Sequence, residues 1–278
     1  MPAIAIPWDP DLVSFGPIRI TWHSLFAIIG MLVGVWVARR LGRRTSIADD
    51  QITTLAFWAL GGGLIMARLL YVVDNLDQFS GNWIQAFAFA NGGITVWGAP
   101  LGGAIAVAGA AWWMKLNVPT ALDIGAPGLI LGMAIGRVGD LINGEHWSLP
   151  TDLFWAVFYT HPNTVGQSTP VHPATTYELL GDLILFAIAL FFARRHLNRL
   201  YAFWTTLAGY ATLRFGLQFL RIDQPEHLFG LQQSQIISVL VLLFFVAWLT
   251  NKMRYALTGS TDPSPVKSRN ATPPEPRK

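Results

Sequence analysis

Residues 121–147 read ALDIGAPGLILGMAIGRVGDLINGEHW. Up to Ile135 the only charge is Asp123. The next stretch then brings Arg137, Asp140, Asn143, Glu145 and His146 close together. An apolar run of about 18 or more residues is long enough to cross a bilayer. This one ends in a polar cluster, so it reads as a membrane helix that delivers polar groups near its far end.

The rest of the chain repeats the pattern. Of 278 residues, 53% are hydrophobic and 13% charged, about half the roughly 25% charge of a soluble domain. Seven stretches are expected to span: about 20–38, 52–73, 94–114, 121–142, 174–193, 200–220 and 233–251. The fold class is therefore an all-α integral membrane protein. Residues 1–256 form one polytopic domain, and the Pro/Ser/Thr-rich residues 257–278 a disordered tail. No removable signal peptide is expected, because a basic n-region and a small-residue cleavage site are both missing.

Basic residues set the orientation. Arg39, Arg40, Arg43, Arg44, Lys115, Arg194, Arg195, Arg199, Lys252, Arg254, Lys267, Arg269, Arg277 and Lys278 all follow odd-numbered runs. They make up fourteen of the 19 lysines and arginines, and they mark the cytoplasmic side. The N-terminus is then outside and the C-terminus cytoplasmic. This bias accounts for the pI near 9.4, so no nucleic-acid partner is implied. With no cysteine, there is no disulfide, thiolate metal site or cysteine nucleophile.

Of the five remaining basic residues, Arg19 precedes the first run. Arg68, Arg137 and Arg214 fall late in the second, fourth and sixth. At 1.5 Å rise per residue each lies roughly 21–24 Å from the cytoplasmic face, in the outer third of the hydrocarbon. Arg221 follows Arg214 by seven positions, on the same face if the helix continues. An intramembrane arginine is costly unless it is paired or faces a wet cavity. Ion pairing with Asp140, Glu145 or Glu178 is the structural alternative. Four arginines at one depth favour an anion site, and a phospholipid headgroup is the abundant anion there.

Several features read as structural. Gly61–Gly63 and the Gly/Ala-rich 92–110 suit close helix packing, although Gly92-Gly93 could form a re-entrant turn. Asp49 and Asp50 suit capping of the second run. Residues 143–172 form the longest outer loop, and its aromatic LFWAVFY suits the headgroup layer. His23 sits just inside the outer end of the first run, as a hydrogen-bonded packing residue or a base. No cofactor or metal is expected.

GRVGDLINGEHW resembles the signature of the prolipoprotein diacylglyceryl transferase family. Similar stretches are FGPIRITWHSLFAIIG, GGGLIMARLLYVV, GGITVWGAPLGG, VHPATTYE, LRFGLQFLRIDQPE and GLQQSQIIS. The resemblance implies a multi-pass enzyme of the bacterial cytoplasmic (inner) membrane. It would transfer an sn-1,2-diacylglyceryl group from phosphatidylglycerol to the lipobox cysteine thiol of prolipoprotein signal peptides. Membrane lipids and those precursors would be its partners. The alternatives are an anion or lipid transporter and a non-catalytic phospholipid-binding scaffold.

Carried over by position, Arg137 matches the arginine assigned to the headgroup, and Arg214 and Arg68 match the arginines of the sixth and second spans. Asn143, Gly144 and Glu145 match the Asn-Gly-Glu of the signature. Catalytic roles are expected for Arg137, Arg214, Asp140, Glu145 and His23, and substrate contacts for Arg137, Arg68, Asn143, Gly144, Arg221 and Tyr177. The chain departs from the pattern at five positions. Trp97 replaces a histidine, Asp140 an asparagine, Gln218 a glutamate, Ser148 a glycine, and His23 a residue that is often tyrosine. For Asp140, three positions after Arg137, the expected role is to orient the guanidinium. An asparagine there could still accept from Arg137.

Overall fold

The computed structural model describes residues 3–16, 18–88 and 93–258. Three short strands, β1 (Ile4–Ile6), β2 (Asp11–Phe15) and β3 (Ile18–Thr21), precede α1 (Trp22–Gly42) and α2 (Asp49–Asp74). A single turn, α3 (Leu76–Phe79), leads toward α4 (Gly98–Trp113) and α5 (Val118–Asn143). β4 (Val157–Tyr159) lies in the long loop before α6 (Ala174–Arg195), α7 (Tyr201–Leu217) and α8 (Gln233–Thr258).

Among the described residues, five helices are long and apolar enough to cross a membrane: α1, α2, α5, α6 and α8. The other two expected spans form shorter helices. In the third, residues 93–97 are non-helical, and Thr95 donates its N–H to the Ala67 carbonyl, so α4 begins only at Gly98 and has 16 residues. In the sixth, Leu200 is left-handed and the chain tightens into a 3-10 turn at Gln218, which leaves 17 residues in α7.

Glycines set how closely the helices pack. α1 and α5 run antiparallel, and a Cβ on Gly132 would stand 2.8 Å from the Gly30 carbonyl oxygen. A Cβ on Gly34 would stand 2.7 Å from the Gly128 oxygen, and one on Gly139 2.6 Å from the His23 Cα. The pairs 30/132, 34/128 and 23/139 keep one register, the small-xxx-small packing of membrane helices. Gly62 and Gly63 pack in the same way against the start of α4, as expected for that segment, and Gly61 faces open space. At the opposite end, the buried Asp123 carboxylate accepts from the N–H groups of Arg199, Leu200 and Phe203 and so caps α7 from another helix.

Three local expectations change. Asp49 and Asp50 occupy the first turn of α2 rather than the cap. Ala48 is the cap residue, and its N–H donates to Gln51 Oε1 at 3.0 Å. The all-α reading did not include the antiparallel hairpin that β2 and β3 form before α1. Part of the aromatic loop is strand: β4 pairs in parallel with β1, and Val157 and Tyr159 are buried. Gly92 of the Gly-Gly pair and residues 259–278 of the expected tail lie outside the described residues, while α8 runs through Thr258.

Candidate functional site

The starts of α1 and α6 meet the ends of α5 and α7 at one end of the bundle, which brings together residues far apart in sequence. Glu178, in the second turn of α6, is the centre. One carboxylate oxygen accepts from Arg137 at 2.7 Å and from the Tyr210 hydroxyl at 2.8 Å. The other accepts from Arg214 at 2.8 Å, with an Arg221 nitrogen 3.9 Å away. Three guanidiniums thus surround one buried carboxylate. The Nε atoms of Arg137 and Arg214 are buried and have no hydrogen-bond partner among the described residues.

The network continues outward along α5. Arg137 also donates to Asp140 at 2.5 Å, and the other Asp140 oxygen bonds His23 Nδ1 from α1. His23 is half-exposed, Glu145 lies 3.7 Å from its Nδ1, and its Nε2 has no partner among the described residues. Asn143 donates to Glu145 at 2.7 Å, and Gly144 closes α5 in the left-handed conformation at φ +76°. A Cβ on Gly144 would stand 2.6 Å from the Gly166 Cα, so glycine is required both by conformation and by space.

Arg221 arrives by a different route from the one expected. The α-helix ends at Leu217, and Arg221 is extended, bridging Ser148 of the long loop. The loop side, not the α7 face, supplies this third cation. It donates to Asp223 at 3.0 and 2.5 Å and contacts His146 at 2.7 Å. Burial, and then the Arg214 charge, lower the Arg221 pKa from its ordinary value. Burial alone would raise the Asp223 carboxyl, but hydrogen bonds from His146 and Arg221 outweigh it and hold the group well below its usual range.

Two expected substrate contacts lie apart from this cluster. The described donors of Arg68 bond the backbone carbonyls of Gln85, Ala86 and Gly93, at 2.7, 2.8 and 2.9 Å, so it clamps the segment before α4. Tyr177 accepts from Trp155 Nε1 at 2.6 Å and lines an apolar cleft of about 730 Å³ with Ile6, Leu141, Ile142 and Leu180.

The positions that depart from the family pattern have structural explanations. Trp97 is fully buried, stacks edge-on against Tyr210 and donates to the Ser234 carbonyl, so it braces the phenol that bonds Glu178. Gln218 bonds Gln232 in a buried pair. The Ser148 backbone is held at both its N–H and its carbonyl by Gln167. Sequence reasoning assigned no part to Tyr210, Asp223 or Asp182. Asp182 is fully buried one turn after Glu178, and both its carboxylate oxygens lack partners among the described residues. Its i+4 spacing from Glu178 was the available signal. The one mixed cluster with metal-like spacing among the described residues is His23, Asp140 and Glu145, with ligand atoms within 4.8 Å of one another. A cation there would compete with Arg137 for Asp140.

Bundle and cluster together define a polytopic helical membrane protein with a buried site in which Arg137, Arg214 and Arg221 are gathered around one carboxylate, the ion pairing that the sequence allowed for. A family model described as prolipoprotein diacylglyceryl transferase matches residues 10–250. A protein of Synechococcus elongatus named phosphatidylglycerol–prolipoprotein diacylglyceryl transferase is 34% identical over 249 residues, 86% of each chain. One of the same name from Gloeobacter violaceus is 33% identical, covering 77% of this chain and 82% of its own. Another from Dehalococcoides mccartyi is 29% identical, covering 88% and 94%. The chain belongs to the prolipoprotein diacylglyceryl transferase family, and it is a transferase.

Proposed function

We propose that the protein transfers the diacylglyceryl group of phosphatidylglycerol to the lipobox cysteine thiol of a prolipoprotein, the first step of bacterial lipoprotein maturation. The observation that carries this reading is the convergence of Arg137, Arg214 and Arg221 on Glu178. The thiolate attacks the glycerol carbon that bears the phosphate, the C–S bond forms, and the C–O bond breaks. Glycerol phosphate leaves with one more negative charge than the diester carried. Preorganised guanidiniums beside that phosphate stabilise the developing charge.

The thiol proton goes to His23 Nε2. Asp140 accepts from Nδ1–H, fixes the tautomer and stabilises the imidazolium, while its other oxygen aligns Arg137. Trp97, with a donor N–H and no accessible base, leaves this task to His23. Asn143, Gly144 and Glu145 shape the turn beside the acceptor. Tyr177 and the apolar cleft receive the apolar part of a substrate.

In this reading residues 1–256 form a single domain of the inner membrane, with the N-terminus outside, the C-terminus and a 257–278 tail in the cytoplasm, and the arginine cluster in the outer leaflet. The arginines in the last turns of α1 and α6 support that orientation. Transport is not favoured, because the cluster occupies one end of the bundle. The test uses purified protein, phosphatidylglycerol and a lipobox peptide, with the peptide mass measured. A diacylglyceryl mass increment supports the reading. Binding of phosphatidylglycerol with no increment overturns it.

A further inference from the structure

A second lipid-like cavity lies at the opposite end of the bundle. α1 packs chiefly on α5 and α2 chiefly on α4, so the two sequence neighbours touch each other little. The gap between them is a groove of about 510 Å³, within the roughly 300–1,000 Å³ range of ligand pockets. Its walls are two helical stripes. On α1, Leu32 and Trp36 lead to Arg40 and Arg43 at i, i+4, i+8 and i+11. On α2, Phe57 and Leu60 face them. These four apolar side chains are well exposed.

The groove is graded along its length. Its body is apolar, and Arg39, Arg40 and Arg43 line one end. Arg39 is tethered to Asp49 at 3.1 Å. Arg40 and Arg43 have no carboxylate within 4.0 Å among the described residues. Annular lipid covers any apolar helix face and positive-inside bias places arginines near span ends, but here all three guanidiniums line the same cavity as the apolar stripes, two of them with no carboxylate partner among the described residues. Basic side chains at a membrane surface attract anionic headgroups, and the guanidinium fork suits phosphate.

We propose that this groove holds one anionic phospholipid, its acyl chain between α1 and α2 and its phosphate on Arg39, Arg40 and Arg43. The site is separate from the Glu178 cluster and does not depend on the catalytic reading. His23 lies in the first turn of α1 and Arg43 follows its end, about 30 Å away at 1.5 Å per residue.

The test is native mass spectrometry of the full-length protein in detergent, supplied with equal amounts of dioleoyl phosphatidylserine and dioleoyl phosphatidylcholine. The wild type should retain one phosphatidylserine with a preference on the order of tenfold. Arg40→Gln/Arg43→Gln should bring the preference close to parity. Ala56→Trp, which fills the groove and leaves every arginine in place, should do the same with transferase activity unchanged. The second variant decides the matter if the first inserts poorly. Equal retention of both lipids by the wild type, or an undiminished preference in Ala56→Trp, would mean annular or active-site lipid only and overturn the proposal.

Discussion

His23 and Asp140 are 117 positions apart in the chain, yet the imidazole Nδ1 bonds the same carboxylate that accepts from Arg137. Asp140 therefore couples the proposed proton acceptor to the cation at the leaving phosphate. If His23 takes the thiol proton, His23→Gln should lower turnover at pH 7 by about 10²–10⁴. The loss should shrink as pH approaches and passes the free-thiol pKa of about 8.5, where the peptide ionises unaided. A pH–rate profile measures this, and a loss of the same size at every pH would remove His23 from the proton transfer.

Asp140→Asn is a sharper test, and here structure and sequence disagree. An amide can still accept from Arg137, which by itself predicts tolerance. But an amide has one acceptor oxygen, and Arg137 can only donate, so the oxygen turns to Arg137 and the NH₂ group faces His23. Nδ1 must then accept, and the ring proton moves to Nε2, the nitrogen meant to act as base. Asp140→Asn should therefore lose activity much as His23→Gln does, with the same recovery at high pH. Wild-type turnover in this variant would show that Asp140 serves Arg137 alone.

Glu178→Gln removes the one charge that, among the described residues, Arg137, Arg214 and Arg221 share. Breaking a buried ion pair from one side costs about 3–5 kcal/mol, because the partner charge stays buried. The variant should unfold at lower temperature than wild type in the same detergent, and transfer should be lost. Unchanged thermal stability would mean that the guanidiniums find other partners.

Depth was legible in the sequence because helical rise per residue is fixed. It placed Arg68, Arg137 and Arg214 in one layer, and two of them, Arg137 and Arg214, do meet, at Glu178. Depth says nothing about direction around the helix, which is why Arg68, at the same level, turns instead to the carbonyls of Gln85, Ala86 and Gly93. Arg221 was reached by extending a helix that ends at Leu217. The His23–Asp140 pair depends on which helices touch. Its signal was present in Gly30, Gly34, Gly128 and Gly132, whose four-residue spacing on two separate helices is that of a close crossing. The strands at residues 4–6 and 157–159 each pair with a distant segment, so neither run by itself announces a sheet.

Arg137 bonds both Asp140 and Glu178, so it is held in place before substrate arrives. Arg137→Ala should cost about 10²–10³ in rate, the loss typical of one preorganised oxyanion contact. Arg137→Lys should restore only part of it, because an ammonium cannot bond two carboxylates and a phosphate with a planar fork. Single-turnover transfer to the lipobox peptide measures both. Near-wild-type turnover by a folded Arg137→Ala protein would take this arginine out of the chemistry.

Gly139→Ala tests the helix contact that carries His23 to Asp140. A Cβ at this position would lie 2.6 Å from the His23 Cα and 2.8 Å from the Trp22 carbonyl oxygen, both backbone atoms that cannot rotate away. The start of α1 must therefore retreat from α5 while Arg137 and Glu178 keep their places. Alanine favours a helix interior over glycine by roughly 0.5–1 kcal/mol, so a loss of activity could not come from a weaker α5. A displacement near 1 Å is enough to cost about 10²-fold in rate. Gly136→Ala is the control, because a Cβ there meets nothing within 4 Å on the same helix. Gly139→Ala should lose transfer at pH 7 and regain part of it at high pH, while Gly136→Ala stays close to wild type. Equal activity in the two variants would mean that the approach of α1 to α5 at Gly139 has no part in catalysis.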